Sequence, residues 1–169
     1  LFDTINDPKT YDEEYTPDGK RSWTIDKYET KIDHIAYVIS QLGIEKTPTG
    51  ASIVGLSEVE NLKVLEDLVA HKYLKDRNYQ IVHKDSPDKR GIDVALIYQK
   101  NHFELIDSSW LLVKLLNSDG EYKPTRDVLH VHGKLDGEQM HLLVNHWPSR
   151  SGGQKRSDPG RKLAAQVNK

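Results

Sequence analysis

The chain alternates between two hydrophobic periods. From Thr24 to Leu42, Ile25, Tyr28, Ile32, Ile35, Ala36, Ile39 and Leu42 recur at steps of three and four, which lays one apolar stripe along a helix, and Gly43 supplies its stop. Ile53-Val54-Gly55-Leu56 is apolar on successive residues, the pattern of a central strand buried on both faces. A second helix is predicted over about Asn61 to His71, with Leu62, Leu65, Leu68 and Val69 inward. Beyond Tyr79 the pattern reads as strand. Tyr79 to Lys84 and Ile92 to Tyr98 flank the turn Ser86 to Gly91; Phe103 to Leu112 follows, then a Ser118-Asp119-Gly120 loop. Asp127 to Leu135 and Glu138 to His146 flank Asp136-Gly137, a strong two-residue hairpin signal. The opening stretch, Asp3 to Arg21, carries Pro8, Pro17 and Gly19 and no apolar period, so it reads as a surface loop. Helix, strand, helix and then meandering strands predict a mixed α/β layered domain.

The last hairpin allows a register to be written. A two-residue loop pairs Leu135 with Glu138, so Val131 faces Leu142, Leu129 faces Val144 and Asp127 faces His146. These residues share one side of the ribbon, and its apolar majority makes it the core face. His146 and Asp127 then project inward at the open end of the hairpin, where a cleft can form. His130 and His132 fall on the opposite face, with His132 across from His141. That spacing raises the thought of zinc, but an outward face favours solvent-exposed histidines. Trp110 and the tyrosines read as packing residues, because the basic interleaving of a base-stacking platform is missing.

Composition narrows the chemistry. The 169 residues are 36% hydrophobic and 30% charged, and the longest apolar runs fall far below the roughly 18 residues of a membrane span. Twenty-four basic residues against 26 acidic ones argue against binding to nucleic acid by bulk positive charge. Local charge is uneven. Asp3, Asp7, Asp12, Glu13, Glu14 and Asp18 crowd the start, whereas Arg150, Lys155, Arg156, Arg161, Lys162 and Lys169 follow Trp147, and the basic loop Arg150 to Arg161 suits an anionic substrate. Without cysteine, any metal sits on oxygen or imidazole, which favours magnesium, manganese or calcium.

Three segments place polar residues at the ends of apolar strands. In Ser57-Glu58-Val59-Glu60-Asn61, Glu58 emerges at a strand rim where it can hold a hard ion, while Ser57 and Glu60 equally fit the spacing of a helix capping box. In Arg90-Gly91-Ile92-Asp93, Asp93 enters an apolar strand, which calls for a histidine or arginine partner or for contact with water. In Asn145-His146-Trp147-Pro148-Ser149-Arg150, a histidine ends a buried strand and an arginine follows in the loop. Such a pair can contact phosphate or assist proton transfer; a lone histidine there is equally a structural residue.

Taken in order, Leu1-Phe2-Asp3-Thr4, Ile53 to Asn61, Arg90 to Tyr98 and Asn145 to Arg150 resemble the endonuclease/exonuclease/phosphatase superfamily, the DNase I-like fold. The resemblance implies a four-layered α/β sandwich, with two mainly antiparallel sheets flanked by helices, and metal-dependent cleavage of phosphate esters at one rim. It puts Glu58 at the place of the metal-binding glutamate, with Mg2+, or Mn2+ or Ca2+, as the cofactor. It puts His146 at the place of the histidine that contacts the scissile phosphate. Asn145 and Arg150 match more weakly, as phosphate-binding residues, and Asp93 is a candidate for orienting His146.

The family pattern also has parts with no counterpart here: an upstream metal-site asparagine, a Gly-Asp-x-Asn strand and a terminal Asp-His pair. Residues 1–169 are therefore expected to form a single partial domain, with residues 1–22 an acidic loop, C-terminal strands absent and negligible catalysis on its own. The expected function is a divalent-metal-dependent phosphodiester hydrolase, nuclease-like, acting on a phosphate-ester substrate such as DNA or RNA. A phosphomonoesterase, a sphingomyelinase-like lipid phosphodiesterase and a noncatalytic binding module are the alternatives. No protein partner is implied, and nothing in the residues separates a secreted from a cytoplasmic location.

Overall fold

A computed structural model describes residues 1–117 and 119–169. The first apolar stripe forms helix α1 (Ile25–Gln41), which buries Tyr28, Ile32, Ala36 and Ile39. Strand β1 (Ile53–Val59) leads to helix α2 (Leu62–Ala70), whose buried side is Val64, Leu65 and Leu68. Then come β2 (Tyr79–His83), β3 (Asp93–Gln99), β4 (Phe103–Leu111), the short strands β5 (Leu115–Leu116) and β6 (Tyr122–Lys123), β7 (Val128–Leu135), β8 (Glu138–Val144) and helix α3 (Gln154–Gln166). The first sheet has the order β1-β3-β2 and the second β4-β7-β8, both antiparallel throughout; β5 and β6 make a separate ribbon.

Three apolar clusters stack these elements into four layers. Helices α1 and α2 pack on one face of the first sheet, against Val59, Tyr79, Ala95 and Ile97. The other face, through Val82, Val94 and Leu96, meets Phe103, Leu129 and Val131 of the second sheet. On the far side, α3 uses Ala164 and Leu163 to cover Val113, Leu115 and Val128. The result is a four-layered α/β sandwich of two antiparallel sheets flanked by helices. No helix among the described residues is long and apolar enough to cross a membrane.

The hairpin register is as the sequence predicts, with Leu135 opposite Glu138, Val131 opposite Leu142 and Leu129 opposite Val144. Asp136 and Gly137 turn with φ of 47° and 96°, the left-handed pair that matches the twist of the flanking strands. Three expectations need correction. The central strand of the first sheet is β3, nearly all buried, whereas β1 lies at the edge and buries only Val59 fully. Its apolar run reflects one covered face plus a close approach to β8, where a side chain on Gly55 would meet Val144 at 3.4 Å. The predicted basic loop after Arg150 is largely α3, starting at Gln154. The acidic opening is not all surface: Asp12 is 1% exposed. Of the predicted Ser118-Asp119-Gly120 loop, Ser118 lies outside the described residues, and Asp119 and Gly120 belong to the turn between β5 and β6.

Candidate active site

The pairing of β1 with β3 runs in register from Ile53 opposite Tyr98 to Ser57 opposite Val94, then jumps, so that Val59 faces Asp93. Glu58 is the extra residue. It adopts φ of 59°, a left-handed conformation uncommon for a side-chain-bearing residue, and a bulge of this kind re-aims the side chain it carries. The carboxylate swings out to 61% exposure, and its Oε1 lies 3.5 Å from Nε2 of His146. Two of the sequence-predicted site residues thus meet across the rim, one from each sheet.

His146 follows β8 by two residues and is held through its backbone. Its carbonyl accepts a hydrogen bond of 3.0 Å from Nη2 of Arg126, which also reaches the Trp147 carbonyl at 3.4 Å. Arg126 is 8% exposed and pairs through Nη1 with Asp88 at 2.9 Å. Asp88 in turn accepts the Arg90 backbone N–H at 2.9 Å. One buried ion pair therefore ties the β2–β3 turn to the loop after β8. Burial pushes the His146 imidazole below its ordinary pKa, and the neighbouring Arg126 and Arg90 push the same way against the opposing pull of Glu58 and Asp88. The net shift favours the neutral ring.

Asp93 does not orient His146. It opens β3 at 2% exposure, with Oδ2 3.1 Å from Nε2 of His83 and Oδ1 accepting the Ser86 backbone N–H at 2.8 Å. A buried carboxylate needs such partners, and the neighbouring strand supplies them first. Asp127, predicted to face His146, is buried just before β7; its Oδ1 and the His146 Nδ1 are both buried without a hydrogen-bond partner. Burial raises the Asp127 pKa, with Asp93 adding to the effect and Lys84 opposing it. Asn145 braces the loop, accepting from Trp147 Nε1 at 2.9 Å and donating to the Leu143 carbonyl at 3.2 Å. Arg150 is exposed at the turn before α3.

Several residues escape the sequence patterns. Glu60, two positions past Glu58, is 7% exposed and does not cap a helix; the N-cap of α2 is Asn61, whose Oδ1 accepts the Val64 N–H at 3.0 Å. Burial pushes the Glu60 carboxyl up to about 8, and the Asp3 and Asp12 carboxylates beside it push it further, against the Asp3 N–H donated at 2.6 Å. Asp12 and Arg126 carry no periodic signal that would place them inside. His83 ends a predicted strand, but its partnership with Asp93 depends on which strands lie side by side.

For a divalent ion, the donors at this rim are of the right type. Glu58 offers an open carboxylate whose neighbour within 4.0 Å, among the described residues, is the His146 imidazole. A hard cation that keeps several waters needs only one or two protein carboxylates. Around the corner, His83, Asp85 and Asp93 place one ligand atom each within 4.8 Å of one another.

The chain belongs to the endonuclease/exonuclease/phosphatase family, whose model matches residues 1–169. No curated protein matches it in sequence. Among solved structures it is similar to the endonuclease/exonuclease/phosphatase from Bacteroides vulgatus, with TM-score 0.60 and 19% identity over 95% of this chain and 55% of that one. It is also similar to a humanized D. rerio TDP2 carrying 14 mutations, with TM-score 0.58 and 11% identity over 86% of this chain and 49% of that one. The chain spans about half the length of these structures. At such identity the likeness establishes the fold.

Proposed function

We propose that residues 1–169 form the larger part of the catalytic domain of a divalent-metal-dependent phosphodiester hydrolase, nuclease-like in its substrate. The observation that carries this reading is the bulge that aims Glu58 out of β1 to within 3.5 Å of His146 from the other sheet. Family membership supports the reaction class, since the family is named for enzymes that cleave phosphate esters.

In this reading Glu58 holds the ion, with magnesium or manganese the fitting choice for a carboxylate site. When bound, such an ion would supply electrostatic stabilisation for charge developing on the phosphate. His146, neutral and fixed through its backbone by Arg126, hydrogen-bonds a nonbridging phosphate oxygen through Nε2. Arg150, exposed in the loop after His146, adds a positive charge for the phosphate, and Asn145 keeps the His146 loop in place. Asp93 acts at one remove, fixing His83 and the turn that carries Arg90. The base that activates water is assigned to no residue of this chain.

The test is hydrolysis of plasmid DNA and of a nitrophenyl phosphodiester by the full-length protein with magnesium, for the wild type and Glu58→Gln. Loss of both activities in the variant supports the assignment; unchanged rates overturn it. Near-neutral charge favours keeping small or lipid phosphoesters in the panel. A steep fall of rate with salt marks a polymeric anion as substrate, a flat profile a phosphomonoester or sphingomyelin. No hydrolysis of any of them by the full-length protein points to a binding module.

A further inference from the structure

On the outer face of the second sheet, away from Glu58 and independent of the proposed activity, three histidines lie in contact. His130 and His132 alternate along β7, and His141 stands opposite His132 on β8. His130 Nε2 and His141 Nδ1 are 2.8 Å apart. The His132 and His141 rings stack with centroids at 4.3 Å, and those of His130 and His141 at 5.1 Å, both pairs within 7° of parallel. His132 Nε2 is buried and has no hydrogen-bond partner.

We propose that His130, His132 and His141 bind a borderline divalent transition ion, with zinc the best fit. The argument starts from what the cluster lacks. The contact between His130 and His141 holds a single proton between two imidazole nitrogens, and the third imidazole, stacked on His141, has an orphaned nitrogen. Three neutral imidazoles are the donor set that suits zinc, copper and nickel rather than magnesium or calcium. Zinc–nitrogen bonds of about 2.0–2.1 Å place two tetrahedral ligands about 3.3 Å apart, so His130 and His141 need to part by about half an ångström and turn their facing nitrogens toward the ion. His132 completes the set by turning its ring until Nε2 leaves the stack.

The surroundings are arranged as an outer shell. Ser109 Oγ lies 3.2 Å from His130 Nδ1. A proton on Nδ1 donated to that oxygen leaves Nε2 free for the ion and fixes the tautomer. Asp107 is the register partner of His132 on β4 and shares its face, so an oxygen donor stands in the same row. Helix α3 covers the Val128 end of this face. An ion here ties β7 to β8 and is a structural clip rather than a catalytic group.

The experiment uses the full-length protein, stripped of metal and held in saturating magnesium to occupy the hard-ion site, titrated calorimetrically with zinc. One equivalent is expected to bind, with a rise in melting temperature and tetrahedral visible absorption when cobalt replaces zinc. His141→Ala, at an exposed position, is expected to weaken binding more than ~100-fold and Ser109→Ala about 10-fold, since outer-shell partners are worth about 10- to 100-fold. Two results overturn the proposal: no zinc bound by the wild type, or zinc binding kept in His141→Ala and lost in Asp85→Asn, which places the ion at His83, Asp85 and Asp93.

Discussion

Two glutamates two residues apart divide the end of β1 into an open side and a closed one. Glu58 sits on a bulge, is mostly exposed and faces a neutral histidine. Glu60 points the other way, buried among Asp3, Asp12 and Asn61, with its carboxyl raised to about 8. In a regular strand residues i and i+2 share a face and an environment. The inserted residue breaks that relation, and the same side chain is open to solvent on one side and a buried hydrogen-bonding group on the other. Backbone geometry, more than residue type, sets which carboxylate is available for chemistry.

The open side stands on the buried pair of Arg126 and Asp88, and removing one partner tests it hardest. Arg126→Met leaves Asp88 buried without its cation and frees the His146 and Trp147 carbonyls. Breaking a buried pair from one side costs about 3–5 kcal/mol. The expected result is a large drop in melting temperature, much reduced in the double variant Arg126→Met/Asp88→Asn, because the stranded charge is then gone. A single-variant loss below about 1 kcal/mol in denaturant melts would show that the clamp does not hold the rim.

If the bulge makes Glu58 the reactive carboxylate, the two glutamates should respond oppositely in activity. Glu58→Gln keeps the side-chain shape and removes the charge, and removal of one electrostatic group at a reacting phosphate is worth about 10²–10³ in rate. Glu60→Gln should leave kcat within about threefold, since a protonated carboxyl and an amide make similar hydrogen bonds. Magnesium-dependent hydrolysis by the full-length protein measures both. Equal losses would erase the distinction between the two sides.

How much of this was legible follows from the range over which each feature is determined. The β7–β8 register came from a two-residue turn and alternation, both local, and it held at Leu129, Val131 and Leu135. Glu58 and His146 were reached through resemblance to a family, since Ser57 and Glu60 fitted a capping box equally well. The bulge itself had no signal, because an extra residue shows only when the partner strand is known. Asp93 was rightly expected to need a partner, but choosing His83 over His146 requires knowing that β2 adjoins β3. Arg126 and Asp88, 38 positions apart, meet through the stacking of two sheets, which no local pattern encodes.

The closed side has its own signature in pH. The Glu60 carboxyl moves from an ordinary 4.5 to about 8 on folding. Below pH 4.5 both states are protonated and its stabilising hydrogen bonds are fully present; between 4.5 and 8 the unfolded chain releases the proton and the folded one keeps it. Stability therefore falls as pH rises through this window, by on the order of 3 kcal/mol. Glu60→Gln should flatten the decline and stabilise the protein at pH 8 relative to wild type. Denaturant midpoints at pH 5 and pH 8 read this directly; a wild-type midpoint that does not fall over this range would mean the carboxyl is ionised in the fold.

The smallest effect lies where the closed side becomes helix. Asn61 does two things at once: its Oδ1 accepts the Val64 N–H and caps α2, while its Nδ2 donates to Asp3 at 3.0 Å. Asn61→Asp keeps the cap and replaces the donor with a fourth acceptor among Asp3, Asp12 and Glu60. Asn61→Ala loses both contacts but adds no charge, and should cost about 1 kcal/mol, the usual value of a cap. If the cap alone matters, Asn61→Asp should be neutral or slightly stabilising, because a negative charge suits a helix N-terminus. If the carboxylate cluster dominates, it should be worse than alanine at pH 8 and recover at pH 5, where Glu60 holds its proton. We expect the second order, which makes the acid cluster, rather than the helix, the feature that fixes the end of β1 opposite Glu58.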